Sequence, residues 1–234
     1  MSTLPESIQV WVVRLTRYTT EEWRPVLSQG EWEKAMRFRA PADQLRCAVT
    51  RGVLKTLLSR NLQVPPADLE FTQNEYGKPA LPGTPTHFNV SHSGDYALLA
   101  FAKDSPVGID VEHVKGGRVV ADLAQRVLSP AEYSRFMLLS EHERQQTFFQ
   151  IWALKESVLK GIGSGLSVPP EDIEIAFYPY TPKLLSAATK EIPDVREWTI
   201  QSLSIGDDTY AAAIAVKHQS PSIEISRFDT MNEW

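Results

Sequence analysis

The feature that most constrains the fold is a repeat within the chain itself. Three segments of the first half recur, in the same order, in the second half: residues 27–36 as 128–137, residues 64–70 as 168–174, and residues 96–102 as 210–216. The matches keep the same order, and the distance along the chain between matching segments grows slowly. This arrangement predicts two copies of one structural unit of about 100 residues.

Each copy predicts the same sequence of elements. Ser28 and Ser129 each follow a leucine and are typical N-caps of a short helix. A long helix follows, at about 43–60 in the first copy and 142–162 in the second, and a Pro-Pro pair prevents its continuation. The remaining apolar and β-branched segments predict strands at 9–14, 69–72, 88–90 and 96–103, and at 107–113, 173–178, 196–203, 209–217 and 222–226.

These elements predict an α+β pseudo-dimer of two similar lobes, each a small, mostly antiparallel sheet packed on a long helix. The boundary falls near Ser105 and Pro106, which gives an N-terminal lobe of residues 1–105 and a C-terminal lobe of residues 106–234. Two like halves must bury a shared face, so the cleft between them is the expected active site.

Charge and cysteine content exclude several classes of protein. A net charge of −5 argues against a nucleic-acid partner, and the single Cys47 excludes an internal disulfide and a cysteine-rich zinc site. No signal peptide is visible at the N-terminus, and no apolar run approaches the roughly 20 residues of a membrane span. We therefore expect a soluble, cytoplasmic protein with no membrane partner.

Two charged residues fall inside the apolar arc of the second long helix, and a third lies beside it. Lys155 and Glu156 lie inside the apolar arc around Trp152, and Lys160 lies one turn after Glu156. A buried, unpaired charge is costly, so each residue requires a partner. A structural Glu156–Lys160 pair is one interpretation, and a functional site is the other.

Two further carboxylates alternate along a predicted strand. Asp110 and Glu112 share one face of segment 108–112, while Ile109 and Val111 pack behind them. Paired carboxylate oxygens suit Mg²⁺, although such an alternation also occurs on solvated strands. Glu156, as a third carboxylate, strengthens the interpretation as a metal site.

The first copy carries polar turns and a basic stretch. Ser91 and His92 lie in what reads as a polar turn that could hold an anion or be an ordinary turn, and Lys78 reads as an exposed lysine in the 76–79 turn. Lys34 and four arginines form a basic segment that suits a multiply phosphorylated ligand. Neither a P-loop, a dinucleotide-binding fingerprint nor a hydrolase nucleophile elbow occurs in the sequence.

Together these motifs resemble the 4′-phosphopantetheinyl transferases, specifically the two-lobed, surfactin-synthetase-activating type. Residues 152–160 match the W-x-x-K-E-S-x-x-K pattern, residues 108–112 the G-[IV]-D-x-E pattern, residues 88–93 the F-N-x-S-H-S pattern, and residues 76–79 the associated turn. The similarity covers nearly the whole chain, and the internal repeat agrees with the family's pseudo-dimeric fold.

The resemblance implies transfer of the phosphopantetheine arm of coenzyme A to a serine of an apo acyl or peptidyl carrier protein. It implies Mg²⁺, or Mn²⁺ in its place, on Asp110, Glu112 and Glu156, with catalytic roles for Glu156, Lys155 and Asp110. It also implies coenzyme A contacts from Lys34, Gly77, Lys78, Pro79, Ser91, His92, Lys155 and Lys160.

The resemblance further implies that the first lobe binds the nucleotide and that the second binds the metal and the carrier protein, partly through Leu184 and Leu185. We expect a monomer, because a duplicated chain needs no partner to complete its cleft. Two other functions stay open at this point: a non-catalytic coenzyme A or carrier-binding module, and a different Mg²⁺-dependent phosphotransferase.

Overall fold

The computed structural model describes residues 7–114, 119–177 and 179–229. Its helices are α1 (Gln29–Met36), α2 (Pro41–Leu62), α3 (Val119–Val127), α4 (Pro130–Phe136) and α5 (Glu141–Ile162). Its strands are β1 (Ile8–Arg14), β2 (Thr72–Gln73), β3 (Pro79–Ala80), β4 (Thr86–Ser93), β5 (Tyr96–Lys103), β6 (Val107–His113), β7 (Ile173–Ala176), β8 (Lys183–Ala187), β9 (Thr199–Leu203), β10 (Tyr210–Val216) and β11 (Ile223–Phe228).

Both short helices begin where the sequence predicts. Ser28 caps α1 and Ser129 caps α4, and each forms a capping box with the glutamate three residues later, Glu31 or Glu132. Both long helices are confirmed and extend slightly beyond their predicted bounds. Helix α5 ends at Gly163, whose φ of +77° suits a residue without Cβ.

Two main sheets form the centre of the molecule, and they share a strand order. The first sheet runs β11-β1-β5-β4 and the second runs β6-β10-β9. Strands β1, β5 and β4 pair antiparallel, as do β6, β10 and β9. In each set the strand that comes first in the chain lies beside the last, and the last lies beside the middle one.

The two sheets pack face to face, and one long helix covers the outer face of each. Alternate residues of β1 and β5, among them Val10 and Leu98, form a shared core with Ile109 and Ile214 of the second sheet. The opposite faces of these sheets pack on α2 and α5 in two separate cores. The order of layers is therefore helix, sheet, sheet, helix.

The last strand corrects one prediction. Residues 222–226 were assigned to the second copy, but β11 pairs in parallel with β1 and belongs to the first sheet. Its last residue, Phe228, is buried against the rings of Trp11, Tyr18 and Trp23. This aromatic cluster stabilises β11 at the edge of the first sheet, next to β1.

Smaller differences concern short strands. Of 69–72 only Thr72 is in a strand, and β9 starts at Thr199 because Asp194 caps a 3₁₀ turn over Val195–Glu197. Strand β7 ends at Ala176, and Tyr178 of the predicted segment lies outside the described residues, as do 1–6, 115–118 and 230–234. Strands β3 and β8 and helix α3 were not predicted.

Within the described part of the chain, helices long and apolar enough to cross a bilayer do not occur.

Candidate active site

Side chains, rather than backbone pairing, join the two sheets along strands β4 and β6. Three alternate residues of β4 each accept one backbone N–H of β6: Asn89 from Ile109 at 2.8 Å, Ser91 from Val111 at 3.3 Å, and Ser93 from His113 at 3.1 Å. The segment predicted to be a polar turn is therefore largely a strand, and its small polar residues link one sheet edge to the other.

A glycine lets helix α5 approach strand β6 closely. A Cβ on Gly108 would lie 2.0 Å from the carbonyl oxygen of Ser157 and 2.3 Å from the nitrogen of Gly161. Asp110 and Glu112 lie on the same face of β6 as Gly108, as predicted from the alternation, and this face meets α5. The glycine of the motif is thus a packing requirement.

Asp110 is the most deeply buried acid of the site, with 2% of the residue exposed. Its Oδ1 accepts hydrogen bonds from Ser91 Oγ at 2.8 Å and from Lys160 Nζ at 2.5 Å. Its Oδ2 is buried and has no hydrogen-bond partner among the described residues. A buried carboxylate oxygen without a partner is costly, so the site is suited to a cation or a donor at this atom.

Glu112 and Glu156 lie within electrostatic reach of Asp110. Glu112 accepts hydrogen bonds from Ser93 Oγ and Trp152 Nε1, each at 3.1 Å. Burial raises the pKa of Glu112, and the charge of Asp110 adds to this shift. Burial also raises the pKa of Glu156, where the charges of Asp110 and Glu112 act in the same direction.

The carboxylates of Asp110, Glu112 and Glu156 are not arranged as a preformed metal site. Among the residues that the structure describes, no three Asp, Glu, His or Cys side chains form a ready-made metal site. Mutual repulsion opposes such an arrangement without a metal, and the Lys160 ammonium lies at Asp110 instead.

A pocket of about 490 Å³ lies on the first sheet and is lined mainly by residues of α1, α2 and β4. Lys34 of α1, Pro79 of β3 and His92 of β4 line it, as the sequence predicts for coenzyme A contacts. Burial lowers the pKa of His92, and Arg46 and Lys160 lower it further. The neutral imidazole can therefore accept or donate a hydrogen bond in the pocket wall.

A recess of about 170 Å³ adjoins this pocket at Val90. Gly77, Lys78 and Lys160 line it together with Gly163. Residues of the 76–79 turn contribute to both cavities. Of the coenzyme A contacts predicted in the first copy, Lys34, Pro79 and His92 line the pocket, Gly77 and Lys78 line the recess, and Ser91 lines neither.

Lys78 is not exposed, in contrast to the prediction. Its Nζ donates to the backbone carbonyls of Gly161 at 2.9 Å and Val107 at 3.1 Å. Burial lowers the pKa of Lys78 to about 8. The side chain ties the turn to β6 and α5, because the turn packs against both elements.

Lys155 does not reach the cleft, which corrects its predicted role in binding coenzyme A. The side chain is fully buried, and its Nζ is 2.6 Å from Glu132 Oε2. The Nζ also donates to the carbonyls of Val127 at 2.8 Å and Pro170 at 2.9 Å. An ammonium group with three partners has no donor left for a phosphate. Lys155 therefore ties α5 to α3, to α4 and to the segment at Pro170 that follows α5.

The hydroxyl group of Ser91 is also used for contacts within the protein. Its Oγ interacts with Asp110, Val111 and Lys160, and only 6% of the residue is exposed. The structure therefore makes Ser91 a support for Asp110, whereas the sequence predicted a direct phosphate contact.

Sequence reasoning placed Arg46 and Arg51 in a basic segment but did not predict that one face of α2 forms a pocket wall. Six residues at helical spacing line the 490 Å³ pocket: Asp43, Arg46, Cys47, Thr50, Arg51 and Leu54. Arg51 stacks on the ring of Phe71 at 3.7 Å and forms an ion pair with Glu31 at 2.7 Å. The three-four spacing of these polar residues was a signal that could have identified the pocket wall.

Two family models and several curated relatives match this chain. A family model described as the 4′-phosphopantetheinyl transferase superfamily matches residues 106–215, and one described as 4′-phosphopantetheinyl transferase, N-terminal, matches residues 17–104. The chain is 33% identical over 165 residues to 4′-phosphopantetheinyl transferase Sfp of Bacillus subtilis (strain 168). This match covers 70% of this chain and 72% of Sfp.

Two further similarities extend the comparison. The chain is 31% identical over 222 residues to 4′-phosphopantetheinyl transferase HetI of Nostoc sp., covering 92% of this chain and 90% of HetI. The crystal structure of the Thermotoga maritima holo-[acyl-carrier-protein] synthase matches 49% of this chain and 64% of that chain, with a TM-score of 0.39 and 26% identity. On the sequence matches, the chain is an enzyme that belongs to the 4′-phosphopantetheinyl transferase family, and it is of the Sfp type.

Proposed function

We propose that this transferase moves the phosphopantetheine arm of coenzyme A to a serine hydroxyl of an apo acyl or peptidyl carrier protein and releases adenosine 3′,5′-bisphosphate. One observation carries the proposal. Asp110, Glu112 and Glu156 interact electrostatically where β6 meets α5, and Lys160 bonds Asp110 there. Lys160 also lines the recess that shares Val90 with the 490 Å³ pocket.

The residues present fit a divalent cation. Asp110 offers a buried oxygen that has no partner in the described part of the chain, and Glu112 and Glu156 offer further carboxylate oxygens within electrostatic reach. Oxygen donors of this kind suit Mg²⁺, or Mn²⁺ in its place. When bound, the cation would supply neutralisation of the pyrophosphate charge.

The pocket wall would hold the nucleotide. Lys34, Arg46 and His92 line it and can donate hydrogen bonds to phosphate oxygens. Gly77 and Pro79 border the two cavities and leave room for a base beside the turn. This arrangement supports assigning the nucleotide to the first lobe.

Glu156 is the proposed general base. Burial and the charges of Asp110 and Glu112 raise its pKa, against the opposing charge of Lys160, and this makes its carboxylate a better proton acceptor near neutral pH. It would accept the proton of the carrier serine as that oxygen attacks phosphorus. Lys160, four residues later, would stabilise negative charge on the phosphate oxygens.

The pseudo-dimer itself is part of the proposal. We infer two copies of one unit, with lobes 1–105 and 106–234, because both sheets share a strand order and both long helices carry the same buried pair. Lys55 Nζ lies 3.0 Å from Glu31, and Lys155 Nζ lies 2.6 Å from Glu132. In each copy the glutamate belongs to the capping box of the preceding short helix.

The carrier protein would meet the second lobe. Leu185 of β8 is 42% exposed and can contact a partner, but Leu184 is buried in the core and cannot. We propose that the enzyme acts as a cytoplasmic monomer, since one chain holds both the acids and the pocket.

The decisive experiment incubates the protein with coenzyme A, Mg²⁺ and an apo carrier protein and measures the carrier by mass spectrometry. We expect a gain of one phosphopantetheine, lost when the carrier serine is replaced by alanine. A non-catalytic module would bind coenzyme A and leave the carrier mass unchanged. A different phosphotransferase would yield a product other than adenosine 3′,5′-bisphosphate.

A further inference from the structure

One ammonium group lies at the acid cluster of the site. Lys160 Nζ is 2.5 Å from Asp110 Oδ1 and 3.0 Å from Ser91 Oγ. The positive charge of Lys160 also opposes the upward pKa shifts of Glu112 and Glu156. The cation that neutralises the cluster in this structure therefore comes from the chain itself.

Lys160 has space to leave this position. Its side chain is 28% exposed, whereas the side chain of Asp110 is 3% exposed. Lys160 also lines the 170 Å³ recess, beside Gly77 and Gly163. A long, flexible stem at the edge of a cavity allows the ammonium to move by several ångströms while α5 stays in place.

The contrast with Lys155 supports this difference in mobility. Lys155 lies on the same helix, but it is fully buried and bonded to Glu132 and to two carbonyls. Lys160 has two side-chain contacts among the described residues and partial access to solvent. One lysine is fixed, and the other is held mainly by a charge that a metal ion would share.

We propose that Lys160 is an internal counter-ion of the acid cluster: without metal its ammonium neutralises Asp110, and metal binding displaces it toward the recess. The inference rests on the proposed metal site. Displacement makes the ammonium available to phosphate only when the acids have acquired another cation. Without metal, the negative charge of the acids is therefore balanced by Lys160. With metal bound, the Lys160 ammonium is free to contact phosphate.

The opposite arrangement gives a different expectation. If Lys160 and Asp110 formed a lasting structural pair, the lysine would hold the acid in place in the metal-bound protein as well. Removal of the lysine would then disorder the site and weaken metal binding. The sign of the change in metal affinity therefore distinguishes the two arrangements.

The test measures binding of Mn²⁺ alone, by electron paramagnetic resonance of the free ion, to the wild type and to Lys160→Met. We expect affinity to increase by about tenfold or more in Lys160→Met, because a competing and repelling cation is removed. Lys160→Arg keeps the charge and is the matched control, with an affinity close to the wild type. Unchanged or weaker binding by Lys160→Met would overturn the proposal.

Failure of the metal site itself gives a separate result. If neither wild type nor Lys160→Met binds Mn²⁺, the proposed metal site is wrong and the counter-ion proposal is overturned with it. If both bind equally, the metal site stands and the counter-ion role is rejected.

A second measurement uses the unmodified protein, in case Lys160→Met does not fold. Lysine acetylation by acetic anhydride is followed by mass spectrometry with and without Mn²⁺, with the exposed Lys103 as internal reference. We expect Mn²⁺ to increase the relative modification of Lys160, because its ammonium leaves Asp110. No increase would contradict displacement.

Discussion

At the scale of single residues, environment gives chemically identical carboxylates opposite properties. Burial alone would raise the pKa of Glu31, but the N–H of Ser28 and the charges of Lys55 and Arg51 outweigh it and lower this pKa to about 2. Burial raises the pKa of Glu156, and the charges of Asp110 and Glu112 raise it further, whereas the charge of Lys160 opposes the shift without reversing it. The first carboxylate is thus structural, and the second is suited to accept a proton.

Replacement of Glu156 by glutamine should remove the proposed base while preserving helix α5. We expect kcat to fall by about 10²–10⁴-fold, the usual effect of losing a general base. Glu141→Gln, at an exposed position of the same helix, is the matched control and should retain activity. A Glu156→Gln variant with near wild-type kcat and an unchanged melting temperature would exclude Glu156 as the base.

Glu31 should make stability depend on pH in acid. Its pKa is lowered from 4.5 to about 2, so its contribution is complete above pH 4.5 and is lost as the pH falls toward 2. We expect the difference in unfolding free energy between wild type and Glu31→Gln to shrink by up to about 3 kcal/mol over this range. Urea denaturation from pH 2 to 7 measures it, with Glu33→Gln as control. A difference that is constant with pH would refute the assignment.

At the scale of elements, the site depends on how closely α5 and β6 approach. Gly108 permits this contact, because any Cβ there would overlap the backbone of Ser157 and Gly161. The approach brings Trp152 and Lys160 within hydrogen-bond distance of Glu112 and Asp110. The spacing of two elements thus sets the geometry of the acids.

Gly108→Ala should therefore impair both stability and transfer. The added methyl must push α5 away from β6, and overpacking of this kind costs about 1–3 kcal/mol or more. Urea denaturation measures the loss, and kcat should fall because the acids separate. The control is Gly30→Ala in α1, where a Cβ meets no atom within 4 Å. Equal stability of the two variants would show that the close approach is unimportant.

At the scale of the whole molecule, two kinds of connection join the sheets. Side chains of β4 bond the backbone of β6, and the C-terminal strand β11 returns to pair with β1. The shared core between the sheets adds apolar contacts along their length. From these connections we expect the two sheets to unfold together.

Phe228→Ala should therefore destabilise the entire molecule. Phe228 is 4% exposed and packs among three aromatic rings, and such a truncation typically costs about 3–5 kcal/mol. Calorimetry should show one transition at a lower temperature. Ile225→Ala, at a 46% exposed position of the same strand, should have little effect. Two separate transitions would indicate lobes that unfold independently.

Local patterns allowed much of the fold to be predicted. The capping residues Ser28 and Ser129, both long helices and the shared face of Asp110 and Glu112 depend on residues close in sequence. Their periods of 3.6 and 2 residues are therefore visible in the chain itself. The motifs and the family resemblance identified the acids and several pocket residues without the structure.

Tertiary packing decided the rest, because the partner of a charge or of a strand edge is distant in sequence. Lys155 and Lys160 belong to the same helix, and the helical pattern reveals neither partner: Lys155 pairs with Glu132, and Lys160 pairs with Asp110. The sequence also predicted neither the return of β11 to β1 nor the burial of Lys78. Composition and period show that a group requires a partner, but only the folded chain brings a particular partner within bonding distance.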